Sequence, residues 1–289
     1  MIKSFASQFR GFIYAALDFT TTKRIFPLML LMAALATVSF AQDANRPGVL
    51  AQEGKKDAQA GPLSTDVCQS TFTSGSGDSY MSFCVTQNGN IGNFYSPANY
   101  SQLYAGAEGY AVCDVSSNYS YHDWGRGGDS GNWLDSSVIQ PNGPNTFPLT
   151  VKRTTSDGIW TLTQAFSRST TAPSVKITMA LRNNSAVGKW AYFERFADID
   201  GGGIYNNLFD GGTFSVWGYV SGRNGLLMRG SSTPSGMGAW VVSGYPADPC
   251  SPQHQGLPYI GDGAGLTTWE PYLSAKSSKT VTVEYRPIY

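Results

Sequence analysis

The residues best equipped for chemistry crowd into ERFADIDGGGIYNNLFDGG, Glu194 to Gly212, where nineteen residues hold four carboxylates and five glycines. If KWAYFERFADID runs as a strand, Trp190, Tyr192, Glu194, Phe196, Asp198 and Asp200 share one face. Phe193, Arg195, Ala197 and Ile199 take the other. The α-carbons of Asp198 and Asp200 would then stand about 7 Å apart. Carboxylates near that spacing can flank a glycosidic bond or share a cation. Catalysis needs one carboxyl kept protonated by burial or by a like charge, which makes Glu194, Asp198 and Asp200 the candidate acids. As a calcium loop, DIDGGG starts like an EF-hand, then departs from it with Gly202 at the fifth position and Phe209 at the twelfth, where a bidentate Glu belongs. A looser Ca²⁺ site would draw on Asp198, Asp200, Asn206 or Asn207, and Asp210; calcium is the one cofactor these residues point to. The competing reading is structural: a strand leaves its sheet, its polar end meets water, and glycines turn the chain.

A second cluster, YHDWGRGGDSGNWLD from Tyr121 to Asp135, carries His122 beside Asp123, Trp124, Arg126, Asp129 and Trp133. Acid–base work across a sugar ring would use His122 or His254 as acid and Glu270 or Glu108 as base. A histidine in a surface loop is the plainer account. Aromatic residues are many, with 7 Trp and 16 Tyr. Trp124, Trp133, Tyr205, Tyr259, Trp269 and Tyr272 sit in loop text or beside glycine, where exposed rings stack on sugar faces. Trp160, Trp190 and Trp240 sit in strand text and are expected in the core. The chain has no GxSxG, HExxH, Walker or dinucleotide-binding motif, so classical nucleophilic hydrolysis and nucleotide chemistry are disfavoured.

The elements that must hold these residues are strands. SVKITMALR places Val175, Ile177, Met179 and Leu181 on one face. TVTVEYR does the same with Val281, Val283 and Tyr285, and IWTLTQAF with Trp160, Leu162 and Phe166. Turn signals separate them: QNGN at 87–90, SDG at 156–158, RNNS at 182–185 and SGRNG at 221–225. A turn or two of helix near SPANYSQLY, residues 96–104, is the only helical candidate. This pattern predicts an all-β fold, a large antiparallel β-sandwich, with a barrel or jelly roll as alternatives.

Lys23 and Arg24, the apolar run IFPLMLLMAALATVSFA, and small residues Ser39 and Ala41 describe a signal peptide over residues 1–41. An uncleaved anchor is the rival reading, since the run approaches the roughly 17 residues that span a bilayer. After cleavage no membrane span is expected. Residues 42–64 read as a flexible linker, and 65–289 as one β domain. From residue 42 on, Lys and Arg number 16 and Asp and Glu 19, a net charge of −3. With no basic stripe, nucleic acid is not an expected partner. Cys68, Cys84, Cys113 and Cys250, an even count without a CxxC pair, predict two disulfides in a secreted or periplasmic protein, with Cys68–Cys84 the favoured pair. NxS sequons stand at Asn99, Asn118 and Asn183.

The stretch LTQAFSRSTTAPSVKITMALRNNS, residues 162–185, is similar to the strand, turn, strand and N-x-S pattern of supersandwich domains, such as galactose mutarotases and accessory domains of carbohydrate-active enzymes. ERFADID also resembles a motif of secreted bacterial proteins of unknown function. The resemblance implies a supersandwich fold over roughly a third of the domain. Together with export, aromatic loops and missing catalytic motifs, it implies a non-catalytic domain that binds carbohydrate or a cell-surface partner. The alternatives are a polysaccharide-acting enzyme using the acids near Asp198 and Asp200, and a structural envelope or matrix protein.

Overall fold

The computed structural model describes residues 67–289 apart from 170–171, 221–223, 232–235, 244–247 and 252–254. The expected signal peptide at 1–41, the linker at 42–64 and His254 lie outside the described residues. The strands are β1 Cys68–Ser74, β2 Met81–Thr86, β3 Ile91–Tyr95, β4 Leu103–Asp114, β5 Tyr119–Asp123 and β6 Ser137–Ile139. There follow β7 Leu149–Thr154, β8 Trp160–Arg168, β9 Val175–Asn183, β10 Lys189–Ile199, β11 Asn207–Gly212 and β12 Ser215–Tyr219. The last are β13 Gly225–Gly230, β14 Gly236–Val242, β15 Tyr259–Gly261, β16 Ala264–Trp269, β17 Tyr272–Leu273 and β18 Ser278–Ile288.

They form three antiparallel sheets, as an all-β sandwich requires. The nine-stranded sheet runs β15-β11-β12-β13-β18-β9-β8-β7-β6, and a smaller one runs β1-β2-β3. The six-stranded sheet runs β14-β16-β10-β4-β5, with β17 added to β10. Alternation in the sequence decides which side chains enter the core. Val175, Ile177, Met179 and Leu181 of β9, and Val281, Val283 and Tyr285 of β18, are all buried. They meet Phe193, Ala197 and Ile199 from the six-stranded sheet in one continuous cluster, and β1 to β3 add Phe72, Phe83 and Phe94.

Local chemistry sets the turns. The β2–β3 turn closes with Thr86 and Asn90 exchanging backbone and side-chain bonds, and the Asp157 carboxylate takes the Thr155 hydroxyl and the Ile159 N–H between β7 and β8. The helix expected near 96–104 is a turn, closed by the Tyr100 N–H on the Pro97 carbonyl, because β4 already starts at Leu103. Among the described residues no helix is long and apolar enough to cross a membrane.

Disulfides join Cys68 to Cys84, as favoured from the sequence, and Cys113 to Cys250. Such cross-links suggest an extracytoplasmic protein. Trp160 is in the core as expected, but Trp190 is half exposed against Tyr272, since its alternation puts it on the outer face near the strand's start. Of the sequons, Asn99 and Asn118 are exposed. Asn183 is buried, its amide donating to the carbonyls of Val187 and Leu273, so it is no glycan acceptor in the folded chain.

Candidate functional site

The outer face of the six-stranded sheet, the one turned away from the core, gathers most of the unusual chemistry. Directly opposed residues of antiparallel strands place their side chains on the same face. Glu194 of β10 is paired with Ala111 of β4, which is paired with His122 of β5. On its other flank Glu194 opposes Thr268 of β16. The next row holds Phe196 beside Leu266 and Trp240. Ala107, Ala111, Trp124, Phe196, Val242, Ala264 and Leu266 make a second apolar cluster here, separate from the main core.

Within that apolar setting three polar groups are left over. Glu194 is 0% exposed, and neither carboxyl oxygen has a hydrogen-bond partner among the described residues. His122 Nδ1 and Trp124 Nε1 are likewise buried and unpartnered there. Burial, reinforced by the charge of Asp248, pushes the Glu194 carboxyl well above the usual carboxylate range. Burial lowers the His122 pKa against the opposing pull of Asp129 and Asp248. Burial therefore favours the protonated carboxyl of Glu194 and the neutral imidazole of His122 on this face. The His122 ring stacks on Trp124 at 5.5 Å, and Trp124 leans on Phe196 at 5.3 Å, which fixes the imidazole's position. Each unpartnered buried group costs about 1–3 kcal/mol, a common sign of a group kept for function.

Residues 248–251 are tied to this face. Cys113, one row from Ala111 on the same side of β4, is bonded to Cys250. That bond holds residues 248–251 above the sheet, and the Asp248 carboxylate accepts the Cys250 N–H.

The opposite face of β10 is structural. Arg195 Nη2 lies 2.5 Å from Glu108 Oε1, which also accepts the Tyr285 hydroxyl at 2.7 Å. Glu108 Oε2 takes the Ile91 N–H, and Arg195 reaches the Gln164 side chain and the Gly89 carbonyl. Glu108 is thus enclosed between the sheets with its oxygens used, which removes it as the expected base. Asp123 and Asp129 share Arg153, and burial, with Arg153 opposing it, pushes Asp123 up to about 7. Of the second cluster, His122 and Trp124 face the outer side of the sheet. Glu270 is half-buried just past β16.

The acidic loop divides as well. Asp198 and Asp200 come together with Asp262, their carboxylate oxygens within 4.8 Å of one another. Burial and the mutual charges push Asp198 up to about 7 and Asp200 up to about 6. Asp210 is exposed, takes the Gly211 N–H and lies outside this group. Asn206 is exposed, whereas Asn207 is buried and ties Gly201, Ile199 and Ile204 together, a structural fastening.

The aromatic candidates do not stand open to solvent as a set. Trp269 is 1% exposed with its indole N–H on the Ser231 carbonyl, and Trp133 packs edge-on to Tyr110 and Tyr121. Trp124 is covered too, and Tyr205 alone of the four is largely exposed, at 68%. Proximity to glycine misled because packing covers these rings: Trp269 ends β16 facing the core, Trp133 packs into the core from a loop, and Trp124 is covered in the outer apolar cluster. Sequence reasoning missed Asp248 and Asp262, which neighbour the acids only through the fold. It named Glu194 and His122 separately; only the register of β10, β4 and β5 pairs them.

No protein-family model and no curated protein matches the chain. Among solved structures, a bacterial glucoamylase complexed with acarbose superposes with a TM-score of 0.55 at 11% identity, covering 76% of this chain and 32% of that one. A protein assigned as an aldose 1-epimerase from Escherichia coli K12 gives 0.47 at 10% identity, covering 76% and 99%. A polysaccharide lyase gives 0.44 at 8% identity, covering 72% and 32%. The chain thus spans about a third of the glucoamylase, and what it shares with that protein is the β-sandwich fold.

Proposed function

We propose that residues 65–289 form an exported carbohydrate-binding domain whose ligand lies on the outer face of the six-stranded sheet. The observation that carries this reading is the pair of buried, unpartnered polar groups, the Glu194 carboxyl and His122 Nδ1, in one cross-strand row with Ala111 between them. Their α-carbons are two strands apart, about 10 Å, enough for a sugar ring to sit between the two side chains. The protonated carboxyl and the Trp124 N–H donate to hydroxyl oxygens, while imidazole Nδ1 accepts, and Phe196 and Trp240 supply apolar contact. Carbohydrate as the ligand class draws support from the glucoamylase whose fold the chain shares and from the export expected of the sequence.

A second reading, catalysis, is favoured by burial, which shifts Glu194 toward its acid form and His122 toward its base form. A neutral acid and a neutral base facing one ring can move protons on opposite sides of it. In that version Glu194 donates to a ring or glycosidic oxygen and His122 accepts a hydroxyl proton. A calorimetric and pull-down screen of mono- and polysaccharides tests both, with released reducing ends and the rate of anomer exchange followed by NMR. Binding that is lost in Glu194→Ala and His122→Ala, without turnover, supports the binding domain; turnover lost in the same variants supports the enzyme. A folded protein that binds no sugar overturns the proposal and returns the chain to a structural role.

A further inference from the structure

We infer that Asp198, Asp200 and Asp262 form a calcium site that fastens the crossing between the two large sheets. Their oxygens lie within 4.8 Å of one another, close enough for one cation to touch all three, and a cage of three carboxylates suits Ca²⁺, with bonds of about 2.4 Å, better than Mg²⁺, which gives up its water reluctantly. A cluster of acids alone is common on protein surfaces. Here a second observation sets it apart. Asp200 is only 6% exposed, and its Oδ1 is buried with no hydrogen-bond partner among the described residues.

Three other buried carboxylates of the chain are each met by a cation. Asp114 meets Lys189, Asp123 meets Arg153, and Glu108 meets Arg195. None of Asp198, Asp200 and Asp262 belongs to such an ion pair among the described residues. A cation supplies the missing positive charge and occupies the unpaired oxygen. The donor set contains no histidine or cysteine, which selects a hard, oxygen-seeking ion over zinc or copper. Asp262 is exposed, leaving room for the water molecules that complete a calcium shell.

The position gives the ion a task. Asp198 and Asp200 stand at the end of β10 in the six-stranded sheet. Asp262 occupies the two-residue link from β15, in the nine-stranded sheet, to β16, in the six-stranded one. The Tyr259 hydroxyl donates to the Asp262 carbonyl at 3.1 Å and holds that link in place. Calcium bound here joins the edge of one sheet to the central strand of the other. The inference is independent of any sugar ligand, because its readouts involve none.

The test is thermal unfolding of the purified chain, freed of metal with EDTA, against CaCl₂ and MgCl₂. The expected result is a saturable rise in Tm of several degrees with Ca²⁺, absent in Asp262→Asn and in Asp198→Asn. Terbium luminescence sensitised by Tyr259, displaced by Ca²⁺ in the unsubstituted protein, keeps the test decisive should either variant fail to fold. No rise together with no luminescence overturns the site. A rise that persists in the folded variants places the ion elsewhere on the chain, and an equal rise with Mg²⁺ rejects calcium as the selected ion.

Discussion

Glu194 and His122 stand in one row of the six-stranded sheet, two strands apart, with Ala111 of β4 between them in that row. In the proposed sugar-binding reading, that small residue leaves room for the ligand between the acid and the base. A larger side chain there would fill it, and Ala111→Leu is expected to weaken sugar binding at least tenfold while the sheet pairing survives. Isothermal calorimetry alongside circular dichroism checks this, and unchanged affinity in the folded variant would count against the site.

The buried Glu194 makes stability depend on pH with a definite sign. Its folded pKa is raised above the ordinary 4.5, so between those two values the folded state keeps a proton that the unfolded chain has lost. Stability from this group is therefore fully present below the ordinary value and falls as pH rises toward the folded one, by at most about 1.4 kcal/mol per pH unit. Glu194→Gln removes the ionisable group and flattens that slope. Urea unfolding from pH 5 to pH 9 reads it directly; parallel slopes in the two proteins would show that the carboxyl finds a compensating charge.

Arg195 and Glu108 form the reverse case, a buried charge pair with its bonds made. Breaking one side leaves the other charged and enclosed. Arg195→Met is expected to lose about 3–5 kcal/mol, and the double change with Glu108→Leu to recover part of it. A double-mutant cycle in urea measures both numbers.

Trp269 is expected to matter for stability more than for recognition. Trp269→Ala removes a buried ring and its bond to Ser231, a loss of about 3–5 kcal/mol. Tyr205→Ala, at an exposed ring, should shift stability by no more than about 0.5 kcal/mol. If Trp269→Ala unfolds at the same urea concentration as the parent, the ring is not part of the core.

The Cys113–Cys250 bridge joins residues 137 apart and holds Asp248 over the acid face. Cys113→Ser with Cys250→Ser is expected to cost about 2–5 kcal/mol. It should also weaken any sugar binding, because the covering segment loses its anchor to β4. The Cys68–Cys84 pair spans only 16 residues far along the chain, so its removal should leave affinity unchanged in protein that remains folded. Affinities measured on both double variants separate the two roles.

The sequence by itself determined the strands and their faces. Period two is a property of the extended backbone, so Val175, Ile177, Met179 and Leu181 announced a buried face before any partner was known. The same rule put Glu194, Phe196 and Asp198 on one side of β10 and Arg195 on the other. Tertiary structure decided everything that depends on which strand lies beside which. Register brought His122 across from Glu194, the sheet crossing brought Asp262 to Asp198 and Asp200, and burial enclosed Glu108 with Arg195. Pairing energies act between residues far apart in the chain, and burial depends on all layers at once. Local spacing carries neither quantity, so the acids were visible in the text and their partners were not.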